Sequence, residues 1–164
     1  MIRKIFTYPS DILYKKALRV ERVDDEVRAL LADMVDTLYS TESGIGLAAP
    51  QVGVSLRVIV VDDREGNLLH LINPEIVSRS GETSSEEGCL SVPGLCVSID
   101  RSEEITVKYM DISGEEKMLD AKGFLAIVIQ HECDHLDGVL IIDHVGQIQR
   151  GLYEKRLKKE CRKL

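Results

Sequence analysis

The run HECDH at residues 131–135 constrains this chain more than any other feature, because it sets two histidines four residues apart. An apolar stretch leads into it, which predicts a helix from about residue 123 to residue 136. Four residues are about 1.1 helical turns, so His131 and His135 leave the same face and can hold one cation. Glu132 lies about 100° round the helix, near such an ion without pointing at it. That position suits a general acid/base acting on water.

A catalytic metal site of this kind needs a third protein ligand. The downstream candidates fit no recognisable motif: Asp137, Asp143, Glu154 and, at the wrong spacing for a metzincin peptidase, His144. Cys89 is the better candidate, since a thiolate with two imidazoles leaves a fourth position open for water. It lies in the segment EGCLS, which we expect to follow a polar loop. A lone cysteine is ordinarily a buried structural residue, but the HExxH run and the adjacent Gly88 favour a ligand here.

The remaining pattern predicts an α+β fold in a single domain over residues 1–164. Apolar residues at helical spacing predict a helix over residues 24–40, and a charged helix is predicted from about residue 147 to the end. Strands are predicted at residues 56–61 and 68–72, joined as a hairpin, and at residues 105–109 before a turn at Ser113 and Gly114. Helices and strands are segregated rather than alternating, which favours α+β over a doubly wound sheet.

Charge and composition exclude several classes of protein. The net charge of −7 and pI near 5.1 argue against specific DNA binding, because an acidic surface repels phosphate. We see no apolar run long enough to span a membrane and no secretory signal, so we expect a cytoplasmic protein with reduced cysteines. The basic last stretch is either a solvated helix face or a contact with ribosomal RNA; it contains Lys155, Arg156, Lys158, Lys159, Arg162 and Lys163.

Three segments together resemble the signature motifs of the peptide deformylase family, in its bacterial, iron-dependent form. They are GIGLAAPQ at residues 44–51, EGCLS at 87–91 and QHECDHLDG at 130–138. The similarity extends over nearly the whole chain. It implies a hydrolase that removes the formyl group from the N-terminal formylmethionine of nascent proteins, releasing formate during co-translational processing. It also implies antiparallel or mixed sheets packed around the helix that bears HExxH, with a C-terminal helix.

The resemblance also implies roles for individual residues. Cys89, His131 and His135 look like the ligands of one divalent ion, usually Fe²⁺, for which Zn²⁺, Ni²⁺ or Co²⁺ can substitute. Glu132 resembles the catalytic acid/base. The side-chain amide of Gln51 and the backbone N–H of Leu90 resemble the oxyanion stabilisers. The positions that resemble the backbone lining of the substrate site are Ile45, Gly46 and Gly88.

An apolar wall is expected beside the metal. Phe124, Ile127 and Val128 precede His131 by seven, four and three residues, so they share its helical face. They form either a pocket for a methionine side chain or ordinary core packing, and the resemblance favours the pocket.

This chain departs from the family pattern at two positions. Many members have Arg where this chain has Cys96 and Pro where it has Asp100, which leaves open how downstream peptide residues are held. Arg101 is expected to pair with Glu87 and so fix the segment that bears Cys89. Two other functions stay open from the residues alone: a peptidase of the HExxH type, and a non-catalytic module in which a metal supports the fold.

Overall fold

The computed structural model describes residues 1–63 and 65–161, so Arg162 and Lys163 of the basic stretch lie outside the described residues. The described chain contains three α-helices, which are α1 (Asp25–Tyr39), α2 (Gly123–Leu136) and α3 (Gln147–Cys161). Its strands are β1 (Gly46–Ala48), β2 (Val58–Asp62), β3 (Leu68–Ser80), β4 (Thr83–Cys89), β5 (Val92–Arg101), β6 (Glu104–Met110) and β7 (Glu116–Lys122). The α+β class is therefore confirmed.

Five strands form one antiparallel sheet in the order β1-β2-β3-β6-β7. Strand β2, the second in this order, is buried along its whole length, and its side chains alternate between two cores. Ile59 and Val61 pack in a cluster with α2, whereas Val58 and Val60 pack in a cluster with α1. The sheet is thus covered by a helix on each side at this strand, which holds α2 and its HExxH run in a fixed position.

Helix α1 begins where the sequence predicts. The side chain of Asp24 caps it by accepting a hydrogen bond of 3.0 Å from the N–H of Val27. Its buried face consists of Val27, Leu30, Leu31, Met34, Thr37 and Leu38.

Helix α2 is buried on most of its circumference and has the predicted bounds. Ala126 and Ile129 pack against the five-stranded sheet, while Gln130 and Glu132 are buried polar residues of the same helix. Burying a polar side chain costs free energy unless it is hydrogen-bonded, so each of these two residues is expected to have a structural or functional role.

Strands β4 and β5 form a separate antiparallel hairpin. Val97 and Ile99 pack on the residues that follow α2, namely Leu140, Ile141 and Ile142. The hairpin ends at Cys89, which pairs with Val92 after an irregularity in register at Gly88. The prediction of a polar loop before Cys89 is therefore wrong. That segment is strand β4, whose backbone carbonyl and N–H groups pair with β5.

The other strand predictions hold with changed bounds. Strand β2 begins two residues later than predicted, and β3 continues eight residues beyond Ile72. This extension pairs with β6 across register shifts next to Asn73, a residue with φ of 52°. In the described part of the chain, no helix has both the length and the apolar character required to cross a membrane.

We expect Gly138→Ala to lower the free energy of unfolding by about 2–4 kcal/mol. Gly138 follows the end of α2 with φ of 75°, and an added Cβ would lie 2.5 Å from the carbonyl oxygen of Tyr14. The atoms that the added Cβ would meet belong to the backbone of Tyr14, so they cannot move aside cheaply. Urea unfolding would measure the loss, with Gly151→Ala in α3 as the matched control. An alanine at Gly151 meets no atom within 4 Å and should be neutral or stabilising.

Candidate active site

A cavity of about 500 Å³ opens between α2, the segment before β1 and the β4–β5 hairpin. All twelve residues that the sequence analysis assigned to the site line it or adjoin it. Eleven of them are lining residues, namely Ile45, Gly46, Gln51, Gly88, Cys89, Leu90, Phe124, Ile127, Val128, His131 and Glu132. His135, the twelfth, lies beneath the cavity and is buried.

Cys89, His131 and His135 converge at the floor of this cavity. One ligand atom from each lies within 4.8 Å of the others, and Cys89 Sγ is 3.3 Å from His135 Nε2. His131 Nδ1 is held by a carboxylate oxygen of Glu87 at 2.8 Å, so its Nε2 is the nitrogen left for the centre. Burial lowers the pKa of His135 well below its ordinary value, which keeps the imidazole in the neutral, metal-binding form.

This donor set fits a divalent transition metal. A thiolate with two imidazoles suits Zn²⁺ or Fe²⁺ far better than a hard cation such as Mg²⁺. Within the described residues, no other group of three or more His, Cys, Asp or Glu side chains has metal-ligand spacing. The chain therefore has a metal site formed by Cys89, His131 and His135.

A buried ion network supports the ligands from behind. Arg101 donates two hydrogen bonds to Glu87, at 2.8 and 2.9 Å, which confirms the predicted pair. Arg101 also donates to Asp134 at 2.7 Å. Burial alone would raise the pKa of Glu87, but hydrogen bonds with Arg101 and His131 outweigh it and lower that pKa to about 2. An ionised Glu87 thus orients His131 and links the strand bearing Cys89 to helix α2.

Glu132 is held in an apolar, nearly closed position. Its side chain is buried, and Oε2 has no hydrogen-bond partner among the described residues. Burial raises the pKa of Glu132 to about 7. Gly46 lies directly against it, because a Cβ at Gly46 would meet the carboxylate and come within 2.9 Å of Glu132 Cδ. Glycine is required at residue 46 for close approach rather than for a special backbone conformation.

Gln51 is fixed in one orientation by its neighbours. The backbone N–H of Ala48 donates to Gln51 Oε1 at 2.8 Å, and a backbone N–H can only donate. The amide nitrogen must therefore face the other way, where it donates to Ser91 Oγ at 3.1 Å and lies 3.9 Å from Cys89 Sγ. Gln51 thus presents N–H groups to the metal side of the cavity.

The backbone positions named from the family resemblance also line the cavity. Leu90 lies in the turn between β4 and β5. A Cβ added at Gly88 would meet only the carbonyl oxygen of Leu95, at 3.9 Å. The chain itself leaves that space open, as expected where a ligand backbone approaches.

One wall of the cavity is apolar. Ile127 and Val128 face it from α2, and Phe124 stands at its mouth with 54% of its surface exposed. Phe124 is thus exposed to a ligand in the cavity rather than packed in the core, whereas Val128 also belongs to the core cluster of α2 and the sheet.

The alternative third ligands are engaged elsewhere. Asp137 pairs with Arg57, whereas Asp143 and Glu154 both pair with Arg150. His144 Nε2 lies 3.4 Å from Asp134 Oδ2, the oxygen that also accepts a hydrogen bond from Arg101. Cys133, two residues from His131, packs in the core, where burial raises its pKa to about 12.

Sequence reasoning missed several residues that shape this site. Ser91 fixes Gln51, and Asp134 completes the ion network. Ser91 lies in the EGCLS motif and Asp134 in the QHECDHLDG motif, so their places in these motifs could have indicated a role in the site. Pro93, Gly94 and Leu95 form part of the cavity rim. No spacing rule indicates them, because the irregular turn after Cys89 brings them there.

Comparison with known proteins gives one consistent result. A family model described as "Polypeptide deformylase" matches residues 2–151. A protein named peptide deformylase from Thermodesulfovibrio yellowstonii is 47% identical over 161 residues, covering 96% of this chain and 97% of that protein. One of the same name from Dictyoglomus thermophilum is 53% identical over 143 residues, covering 87% and 92%. The crystal structure of a peptide deformylase from Legionella pneumophila superposes with a TM-score of 0.93 at 43% identity, covering 99% and 96%.

Proposed function

The chain belongs to the peptide deformylase family and is a deformylase hydrolase, and on that premise we propose its substrate and the role of each site residue. The substrate is a nascent protein or peptide that begins with N-formylmethionine, and the products are formate and a free amino terminus. One catalytic domain over residues 1–164, in the cytoplasm, would carry out the reaction. The observation that carries the proposal is the convergence of Cys89, His131 and His135 beside the buried carboxylate of Glu132.

Cys89, His131 and His135 would hold one divalent ion, which we propose to be Fe²⁺, with Zn²⁺, Ni²⁺ or Co²⁺ as substitutes. When bound, such an ion supplies Lewis acidity that activates water and polarises the formyl group. The protein's part is to orient the imidazoles, which Glu87 does for His131 by its hydrogen bond at Nδ1.

Glu132 is proposed to move the proton. The reaction breaks the C–N bond between the formyl carbon and the methionine nitrogen, and water supplies the oxygen that enters formate. A general base takes one proton from the attacking water, and the same group can return it to the departing nitrogen. Glu132 suits both steps because its Oε2 is unpartnered within the described chain and borders the cavity.

Gln51 and Leu90 are proposed to stabilise the developing negative charge. As water adds, charge moves onto the formyl oxygen, and N–H donors already in place lower the barrier. The side-chain amide of Gln51 is fixed by Ala48 and Ser91, so no reorganisation is needed when the charge appears. The backbone N–H of Leu90 would be the second donor.

The apolar wall is proposed to select methionine. Phe124, Ile127 and Val128 offer a surface to an unbranched thioether side chain. Ile45, Gly46 and Gly88 would line the path of the formyl group and the peptide backbone. A formyl group carries no methyl, so the tight contact between Gly46 and Glu132 would leave too little room for acetyl.

Formate release from formyl-Met-Ala-Ser tests the proposal directly. The protein would be purified anaerobically and loaded with Fe²⁺ or Ni²⁺, and the same peptide with an acetyl group would be the control. We expect formate from the first peptide, none of the corresponding acetate from the second, and no cleavage of internal peptide bonds. Fully metallated protein that released no formate would contradict the proposal.

A ribosome contact through α3 is a separate part of the proposal. Lys155, Lys158 and Lys159 are exposed on this helix, and an acidic protein with one basic face can dock on RNA phosphates. We expect the double variant Lys155→Glu/Lys159→Glu to bind ribosomes at least about tenfold more weakly at low salt, with unchanged turnover of formyl-Met-Ala-Ser. Lys117→Glu/Lys122→Glu on β7 is the matched control. Equal ribosome affinity for both double variants would remove this contact from the proposal.

A further inference from the structure

Strand β4 presents alternate residues to opposite sides. Glu87 points inward to Arg101, whereas Glu86 and Gly88 on either side of it are exposed. Glu86 and Gly88 pair with Ser98 and Cys96 of β5, so these four residues share the outer face of the hairpin. Glu86 also lines the cavity that contains the metal ligands. The substrate cavity therefore continues onto a face of the hairpin that bears a carboxylate.

That carboxylate is not neutralised by a cation of the described chain. Glu86 has no ion pair within residues 1–63 and 65–161, and its polar side-chain contact is the thiol of Cys96, which donates at 3.5 Å. The residues lining the cavity include no lysine or arginine. Of its three glutamates, Glu87 is paired and buried and Glu132 is buried, so Glu86 alone faces solvent.

A basic side chain that contacts the rim is already engaged. Arg156 of α3 donates to the carbonyl oxygen of Gly94 at 2.6 Å and lies over the ring of Tyr153 at 5.2 Å. It contacts the rim from outside and is not one of the residues that line the cavity. The opening thus combines an apolar wall on α2 with an acidic edge on β4.

We propose that Glu86 makes this enzyme prefer formylated peptides that carry lysine or arginine shortly after the formylmethionine. The inference rests on the proposed deformylase function and adds a specificity-determining residue to it. Glu86 precedes Cys89 by three residues, which is about 10 Å along a strand. In an extended peptide, the third residue lies about 7 Å beyond the first, and the long stem of lysine or arginine can span the difference.

Three amidated peptides test the inference, namely formyl-Met-Ala-Lys, formyl-Met-Ala-Gln and formyl-Met-Ala-Glu. An exposed ion pair changes kcat/KM by about two- to fivefold at low salt, so we expect the order Lys, Gln, Glu with a step of that size between neighbours. Raising the ionic strength should compress the series, because exposed charges are screened. The effect should lie in KM, since the charge is remote from the formyl carbon.

Glu86→Gln should bring the kcat/KM values of the lysine and glutamate peptides to within about twofold of each other. Glu82→Gln, at an exposed residue outside this cavity, is the matched control and should keep the wild-type order. Wild-type protein that releases formate equally from all three peptides would overturn the inference while leaving the proposed function intact. The inference also fails if Glu86→Gln keeps the lysine preference. Release from none of the peptides by metallated protein would instead reject the deformylase function itself, and the inference with it.

Discussion

Glu132→Gln should retain its metal and lose turnover by about 10²–10⁴-fold, the range that a positioned acid/base contributes. The substitution keeps the size of the side chain but replaces a proton acceptor with an amide. Glu132 is not among the three residues with ligand spacing, so the metal should stay bound. Formate release and metal content per chain, measured on the same sample, separate the two effects.

The controls for this variant follow from its position. Glu75→Gln removes an exposed carboxylate from β3 and should behave as the wild type. A Glu132→Gln protein with full metal content and near wild-type turnover would show that another group moves the proton. One that loses both metal and turnover would assign Glu132 a role in holding the ion, contrary to the ligand spacing, which includes Cys89, His131 and His135 but not Glu132.

The sequence pattern predicts the helices of this fold better than its strands, and the reason is physical. The apolar spacing in residues 24–40 and 123–136 reports burial against the sheet, and both helices have nearly the predicted bounds. Strand β4 has the sequence TSSEEGC, and its buried residue is Glu87 rather than an apolar side chain. A strand whose inward residue is a carboxylate gives no hydrophobic alternation, so it reads as a polar loop.

In the site, too, the residues on a helix were easier to predict than those on a strand. The HExxH spacing follows from helix geometry, and it places His131, Glu132 and His135 as they are found. The position of Cys89 depends instead on the β4–β5 hairpin, which packs against the residues that follow α2. No local pattern gives that distance. Donor chemistry and the adjacent Gly88 favoured Cys89 as the third ligand, and the family resemblance implied the same assignment. The partner of Arg101 could be predicted, but the contacts of Glu87 with His131 and of Arg101 with Asp134 depend on the tertiary structure.

The buried ion network of Arg101, Glu87 and Asp134 leads to the second prediction with a large expected effect. Arg101→Met should lower the free energy of unfolding by about 3–5 kcal/mol, the cost of leaving a buried charge without its partner. Glu87 is 6% exposed, and loss of the guanidinium leaves it with the imidazole of His131 as its remaining hydrogen-bond partner in the described chain. Arg28→Met is the matched control, because its pair with Asp25 is on the surface and should contribute less than about 1 kcal/mol. Urea unfolding of the metal-free proteins would measure both values.

The same variant distinguishes a structural network from one that also positions a ligand. If Glu87 holds His131 in place only when Arg101 holds Glu87, metal affinity should fall by about 10–100-fold in Arg101→Met, as for other residues that orient a metal ligand. Chelator competition on folded protein would measure that loss, separately from unfolding. Adding Glu87→Gln to Arg101→Met should then cost less than Glu87→Gln alone, because the two residues are coupled. A variant that unfolds more easily yet binds metal as tightly as the wild type would confine Arg101 to stability. A fall in both would mean that one buried arginine holds the Cys89 strand and the His131 helix in the geometry that binds metal.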